Sequence, residues 1–165
     1  MPDHGEFEGF VSARMERWRR SAYLLSGDWH LADDLVSVTV AKLFRHWRTV
    51  RRTDNADAYA QKVLTRTWLS ERRRPWRRER VSDRLPEREY SPPDQIGDRT
   101  ALGELLATLG PRQRAVLVLR FYLDLSVEET ARILRISEGT VKSQSARGID
   151  SLRALALIDE RGPNR

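Results

Sequence analysis

The 165-residue chain contains no cysteine, which excludes disulfides, thiolate nucleophiles and cysteine-ligated zinc together. Its three histidines, His4, His30 and His46, are too scattered to suggest a metal site. No apolar run approaches the roughly 20 residues needed to span a bilayer. The opening Met1-Pro2-Asp3-His4-Gly5-Glu6 also lacks a basic stretch followed by an apolar one. An unexported, cytoplasmic protein without membrane contact is therefore expected. Strand-period alternation and a fixed internal repeat are absent as well, so the expected fold is all-α. Lysine occurs only as Lys42, Lys62 and Lys142; the other 27 basic residues are arginine. Arginine suits bidentate phosphate contacts, but codon bias in a GC-rich genome explains the excess at least as well.

Positive charge is what the chain does have. Thirty Lys and Arg against 24 Asp and Glu give a formal charge of +6, and the pI is about 10.3, which makes a polyanion such as nucleic acid the first partner class to consider. The surplus is local: residues 45 to 90 hold fourteen Arg and Lys and seven Asp and Glu, leaving the rest of the chain slightly acidic. Within that span lies Glu71-Arg72-Arg73-Arg74-Pro75-Trp76-Arg77-Arg78-Glu79-Arg80, where Pro75 should end any helix carrying the arginines. From there to Gly97, Pro86, Pro92, Pro93 and few apolar residues suggest a linker between two small helical units.

Before the linker, Phe7, Phe10, Val11, Met15, Trp18, Ala22 and Leu25 recur at three- and four-residue intervals, which predicts an amphipathic helix. Gly27 should stop it and Asp28 cap the next. A second such face carries Leu31, Leu35, Val36, Val40, Leu43, Phe44 and Trp47. A third helix begins near Asn55, a plausible N-cap, and carries Tyr59, Ala60, Val63, Leu64, Thr67 and Trp68. All five tryptophans, at 18, 29, 47, 68 and 76, lie in this half, so some are core and some are available for other work. After the linker, Leu102, Leu105, Leu106 and Leu109 mark a short helix ended by Gly110. Pro111 opens another through Val116, Leu117, Leu119 and Phe121.

Ser126 and Glu129 match a capping box, and Ser137 is a second candidate cap, for a helix through Val141, Ile149 and Leu152. Residues 125 to 143 thus have the spacing of a helix-turn-helix: Ala131 permits a close crossing, Ile136 plugs the turn and Val141 holds the second helix. Glu138, Thr140, Lys142, Ser143, Gln144 and Arg147 would then face a major groove, with Lys142 and Arg147 also suited to phosphates. An ordinary helical hairpin with a solvated polar face is the plainer alternative. Arg135 stands where such turns commonly place Gly, at a cost of about 1 kcal/mol if positive φ is required. In the first half, arginines interleaved with Tyr59, Trp68 and Trp76 suit single-stranded nucleic acid, where bases stack on rings; the competing reading is a solvated basic face.

Taken together, the two halves resemble bacterial RNA polymerase sigma factors of the extracytoplasmic-function group, which keep only the second and fourth conserved sigma regions. The resemblance covers roughly residues 6 to 158. Its strongest part is Leu109-Gly110-Pro111-Arg112-Gln113-Arg114-Ala115-Val116-Leu117-Val118-Leu119-Arg120-Phe121, running into Leu125 to Ala131 and Ser137 to Ser143. The resemblance implies a region 2 domain at 6–75, a flexible linker at 76–97 and a region 4 domain at 98–158, with no fused C-terminal regulatory domain. It assigns minus-35 recognition to Glu138, Gly139, Thr140, Lys142, Ser143, Gln144 and Arg147.

Ala32-Asp33-Asp34-Leu35-Val36 and Ala41-Lys42-Leu43-Phe44 are similar to the region 2 helix that docks on the polymerase β′ coiled coil. Core binding therefore falls to Asp33, Asp34, Leu35, Val36 and Lys42, although Ser37-Val38 stands where the family often has Gln-Glu. Asn55 to Arg74 resembles the regions that melt and hold the minus-10 element. The base-capturing loop maps to Arg48–Ala58, and strand contacts map to Asn55, Tyr59, Lys62, Arg66, Ser70 and Arg73. Leu64-Thr65-Arg66 replaces the family's frequent Ala-Arg-Asn.

The implied partners are promoter DNA and core RNA polymerase, through its β′ clamp coiled coil and β flap, with an anti-sigma protein as a further candidate. The implied chain is a monomer when free, without catalytic residues, metal or cofactor. Two other classes compete. One is a helix-turn-helix regulator independent of polymerase; the other is a metal-dependent nuclease using His30, Asp33 and Asp34.

Overall fold

The computed structural model describes residues 4–72 and 98–160, with side chains at 98–100 and 158–160 excepted. The chain divides into two compact units, one ending at Ile96 and the other beginning at Gly97. The described residues form helices and turns with no strand, as expected of an all-α chain.

The first unit contains α1 (His4–Ser26), α2 (Trp29–Arg45), α3 (Trp47–Arg52) and α4 (Ala56–Arg72). Gly27 ends α1 at φ 76°, donating its N–H to Tyr23 O at 2.7 Å, a conformation in which a Cβ is strained. Asp28 caps α2 by accepting from the His30 and Leu31 N–H groups, and the Asn55 side chain accepts from Ala58 N at 3.0 Å to start α4. Helices α1, α2 and α4 pack on one another around Trp18, Ala22, Leu25, Ala32, Leu35, Leu43, Leu64 and Trp68. Each large side chain withdrawn from water here contributes about 1.5–3 kcal/mol. At one end, Phe7, Phe10, Trp18, Phe44 and Trp47 join in edge-on and tilted ring pairs with centroids 5.1–5.7 Å apart. Arg51 pairs with Glu6 at 3.0 Å, and Arg14 pairs with Asp57 while lying 4.1 Å over the Phe10 ring.

Helix α3 is not anticipated by periodicity. Trp47 and Val50 alone anchor it to the core. Residues 48–52, expected within a loop reaching from Arg48 to Ala58, are therefore helical, and only Thr53, Asp54 and Asn55 connect α3 to α4.

The second unit contains α5 (Asp98–Ala107), α6 (Pro111–Leu117), a π-helical turn (Val118–Tyr122), α7 (Val127–Leu134) and α8 (Glu138–Glu160). Pro111 occupies the first turn of α6, with Gly110 extended before it. The helix expected to run through Phe121 widens after Leu117: Val118 and Leu119 are buried, whereas Phe121 is 55% exposed.

Two contacts lock α6 in place. Arg114, only 9% exposed, donates from Nε to Leu106 O at 2.9 Å and from Nη2 to Ala107 O and Leu109 O at 3.2 and 3.3 Å. Its guanidinium thus bonds carbonyls in the last turn of α5 and just beyond it, sharing Leu106 O with the Leu109 N–H at 3.1 Å. Gly148 of α8 lies so close to Leu117 that a Cβ would stand 2.8 Å from Leu117 Cδ1.

Gly148→Ala is expected to destabilise the second unit by about 1–2 kcal/mol: overpacking against buried Leu117 outweighs the roughly 1 kcal/mol gained in helix propensity. Arg114→Ala should cost about 2–3 kcal/mol, because charge-assisted bonds to buried carbonyls are lost. Both losses should appear in urea unfolding followed by far-UV circular dichroism. Tryptophan fluorescence, whose five reporters all precede Gly97, should be unaffected.

Candidate nucleic-acid interface

The helix-turn-helix is built by local chemistry at each joint. The Ser126 hydroxyl accepts from Glu129 N at 3.0 Å while Glu129 Oε2 accepts from Ser126 N at 3.2 Å, closing a capping box at the start of α7. Helix α7 ends at Arg135, which enters the left-handed region at φ 57°, ψ 45° and donates its N–H to Ala131 O. Ile136 N bonds the same carbonyl at 3.1 Å. That turn carries Ile136 back against a core of Val116, Ala131 and Val141, with Val127 and Leu134 packed beside it. Ser137 then caps α8, its Oγ accepting from Thr140 N at 3.1 Å and lying 2.8 Å from Thr140 Oγ1.

Val141 faces inward from the first turns of α8, so the opposite side faces solvent. Glu138, Gly139, Lys142, Ser143 and Arg147 are exposed, Thr140 is half-buried and Ser143 Oγ is turned onto Thr140 O at 3.1 Å. Gln144 is less available than its spacing suggests: it is half-buried, and its Oε1 is enclosed without a hydrogen-bond partner among the described residues. The exposed set combines an acceptor, hydroxyls and two cations at the start of a helix, the kind of surface that meets base edges and phosphates in a major groove.

In the first unit, Tyr59, Lys62, Arg66 and Ser70 follow one another along a single face of α4, opposite buried Ala60, Leu64 and Trp68. Lys62 Nζ lies 4.5 Å over the Tyr59 ring, and Asn55 is exposed at the head of the helix. Trp68 is core, with the Arg72 guanidinium 5.4 Å above its ring. Tyr59 is thus the ring this face offers among the described residues; Arg73 and Trp76 lie outside them.

Helix α2 divides differently from the expected docking strip. Asp33 and Asp34 are exposed, with Asp33 paired to Arg19 Nε at 2.7 Å. Leu35 and Val36, expected to meet a partner, are 2% and 5% exposed and belong to the bundle core. They follow the exposed pair by one and two positions, and a helix rotates about 100° per residue, so the two pairs face opposite ways. Lys42 is exposed, but its ammonium donates to Thr67 Oγ1 on α4 at 2.9 Å. Among the described residues no three His, Asp or Glu side chains gather as a metal site, so His30, Asp33 and Asp34 do not form one. None of the described helices is long and apolar enough to cross a membrane.

Two family models match the chain in order: sigma-70 region 2 over residues 10–78 and sigma-70 region 4 over residues 105–154. The RNA polymerase sigma-E factor of Streptomyces coelicolor is 38% identical over 154 residues, covering 90% of this chain and 84% of that protein. The ECF RNA polymerase sigma factor SigL of Mycobacterium tuberculosis is 32% identical over 140 residues, covering 81% and 79%. Among solved structures, the sigma factor RpoE of Bartonella quintana, in complex with the anti-sigma factor NepR, superposes with a TM-score of 0.74. It is 26% identical, with 93% of this chain and 98% of that one covered. With both conserved regions present and related proteins matched over most of their length, this chain belongs to the extracytoplasmic-function RNA polymerase sigma factors of the sigma-70 family.

Proposed function

We propose that the chain joins core RNA polymerase through a region 2 domain, residues 6–75, and sets it on promoters with a region 4 domain, residues 98–158, across a linker at 76–97. The observation that carries this reading is the exposed polar start of α8, held on a capped helix-turn-helix in a chain that also matches region 2. That second match favours a polymerase-dependent factor over a regulator acting alone.

In region 4, α8 enters the major groove of the minus-35 element. Glu138, Thr140, Ser143 and the reachable part of Gln144 meet base edges, while the backbone at Gly139 and the side chains of Lys142 and Arg147 hold phosphates. In region 2, Asn55, Tyr59, Lys62, Arg66, Ser70 and Arg73 follow the opened minus-10 strand. Extruding a base costs a few kcal/mol, and stacking on Tyr59 with phosphate contacts from the cations offsets it.

Docking on the β′ clamp coiled coil uses the exposed acids Asp33 and Asp34 and the stem of Lys42; Leu35 and Val36 act from beneath by fixing α2 on the bundle. The β flap is the second contact on the polymerase. The protein supplies recognition and strand capture, and the polymerase carries out the chemistry, so no catalytic residue is assigned. It works in the cytoplasm, as a monomer until it meets core enzyme. A separate anti-sigma protein is a further partner, a reading supported by the likeness to a sigma factor solved with one.

The test is transcription by sigma-free core polymerase on genomic fragments, with and without the purified chain. Discrete starts that require the chain are expected; duplex binding without such starts would sink the reading. Asp34→Arg should weaken core association at least about tenfold, or 1.4 kcal/mol, with circular dichroism unchanged; unaltered affinity would remove α2 from the docking surface. Lys142→Ala should weaken promoter binding several-fold and lower the salt slope by about one counterion. A fluorescence anisotropy titration at several salt concentrations reads both quantities.

A further inference from the structure

Arg135 is held in a conformation that its residue type resists. The left-handed backbone at φ 57° is imposed by the turn, because both Arg135 N and Ile136 N bond Ala131 O and Ile136 must return to the core. Glycine adopts this state without penalty and Arg does not, so the position carries a side chain at the expense of stability. That side chain adds nothing visible to the fold. Arg135 is exposed and has no hydrogen bond, ion pair or ring contact among the described residues. Its neighbour Arg132, one turn earlier, is instead tied to Glu128 at 2.9 Å.

Arg135 also lies two residues before the Ser137 cap of α8, on the turn that enters the groove-facing helix. A turn in this position runs beside the sugar-phosphate edge of a duplex whose groove is entered by the following helix.

We propose that Arg135 is a backbone-anchoring residue: its guanidinium binds a phosphate at the edge of the duplex segment read by α8, giving region 4 an added grip that does not depend on sequence. This rests on the reading of α8 as the duplex-reading helix. Arg suits the task because its fork engages two phosphate oxygens together. A strained residue beside a binding surface is the pattern expected where the side chain is used rather than the backbone.

The test compares full-length wild type, Arg135→Gly, Arg135→Asn and Arg135→Lys, each assembled with core polymerase. Affinity for promoter and for random duplex is measured from 50 to 200 mM salt, and urea unfolding is followed on the free chains. Gly and Asn both tolerate the left-handed state. Arg135→Gly is expected to shift the circular dichroism midpoint to higher urea, yet to weaken both duplexes about three- to tenfold and lower the salt slope by about one. Arg135→Asn should bind like Arg135→Gly, and Arg135→Lys, which keeps the charge but not the fork, should restore the salt slope and part of the affinity.

If Arg135→Gly and Arg135→Asn keep wild-type affinity and slope while wild type prefers promoter, the phosphate contact is wrong and the reading of α8 stands. A loss confined to promoter duplex would also overturn the proposal, since it would mark base reading. If wild type with core polymerase shows no promoter preference, the functional reading itself fails and the assignment falls with it.

Discussion

The second unit depends on one crossing. Ala131 is small enough for α7 to lie close against α8, and Val141 and Val116 close the contact from either side. Helix α8 is therefore fixed at its first turns, where its outward face carries the polar residues proposed to enter the groove. The rest of the unit serves that crossing. Arg114 ties the end of α5 to α6, Gly148 lets α8 approach Leu117, and two serine caps fix where α7 and α8 begin. A close crossing has little slack, so a bulkier residue at position 131 or 148 would move the whole outward face of α8.

The first unit solves a different problem. It buries polar side chains, Ser21, Thr39, Gln61, Thr65 and Thr67, in a core that is otherwise aliphatic and aromatic. Thr39 and Ser21 are satisfied within their own helices, donating to Leu35 O at 2.7 Å and to Arg17 O at 3.0 Å, and Gln61 Nε2 on α4 donates across to Ser21 Oγ on α1 at 3.4 Å. Such bonds are directional where apolar contacts are not. The bond from Gln61 favours one register of α4 against α1, with the α4 face that carries Tyr59, Lys62 and Arg66 turned away from the core.

Much of this was legible in the chain because capping and periodicity are local. Gly27 with Asp28, Asn55, Ser126 with Glu129, and Ser137 each act within about four residues, and each marks a helix boundary in the structure. What escaped depends on partners elsewhere or on rotation within a helix. Arg114 sits among other arginines, and nothing in its neighbourhood signals that carbonyls of the preceding helix will enclose it. Helix α3 has two apolar residues, too few for a period. Leu35 and Val36 stand on the apolar face that periodicity marks, yet the resemblance also places them in a docking strip with Asp33 and Asp34; their burial in the bundle shows that one helix face does not serve both. Trp68 reads as a stacking platform in sequence and as core in the fold.

The ammonium of Lys62 over the Tyr59 ring has a consequence for the order of events on α4. In the unbound chain it lies over this half-buried ring, on the face where, in the proposed function, an extruded base would settle, at an attraction of about 0.5–2 kcal/mol. On the proposed reading, a base reaches that ring by exchanging places with the cation. The displaced ammonium remains tethered one turn along the same helix face, where the strand's phosphates then lie. In that reading ring and cation act as an internal plug that converts into a second contact when the strand arrives, so stacking and charge neutralisation occur as one coupled substitution.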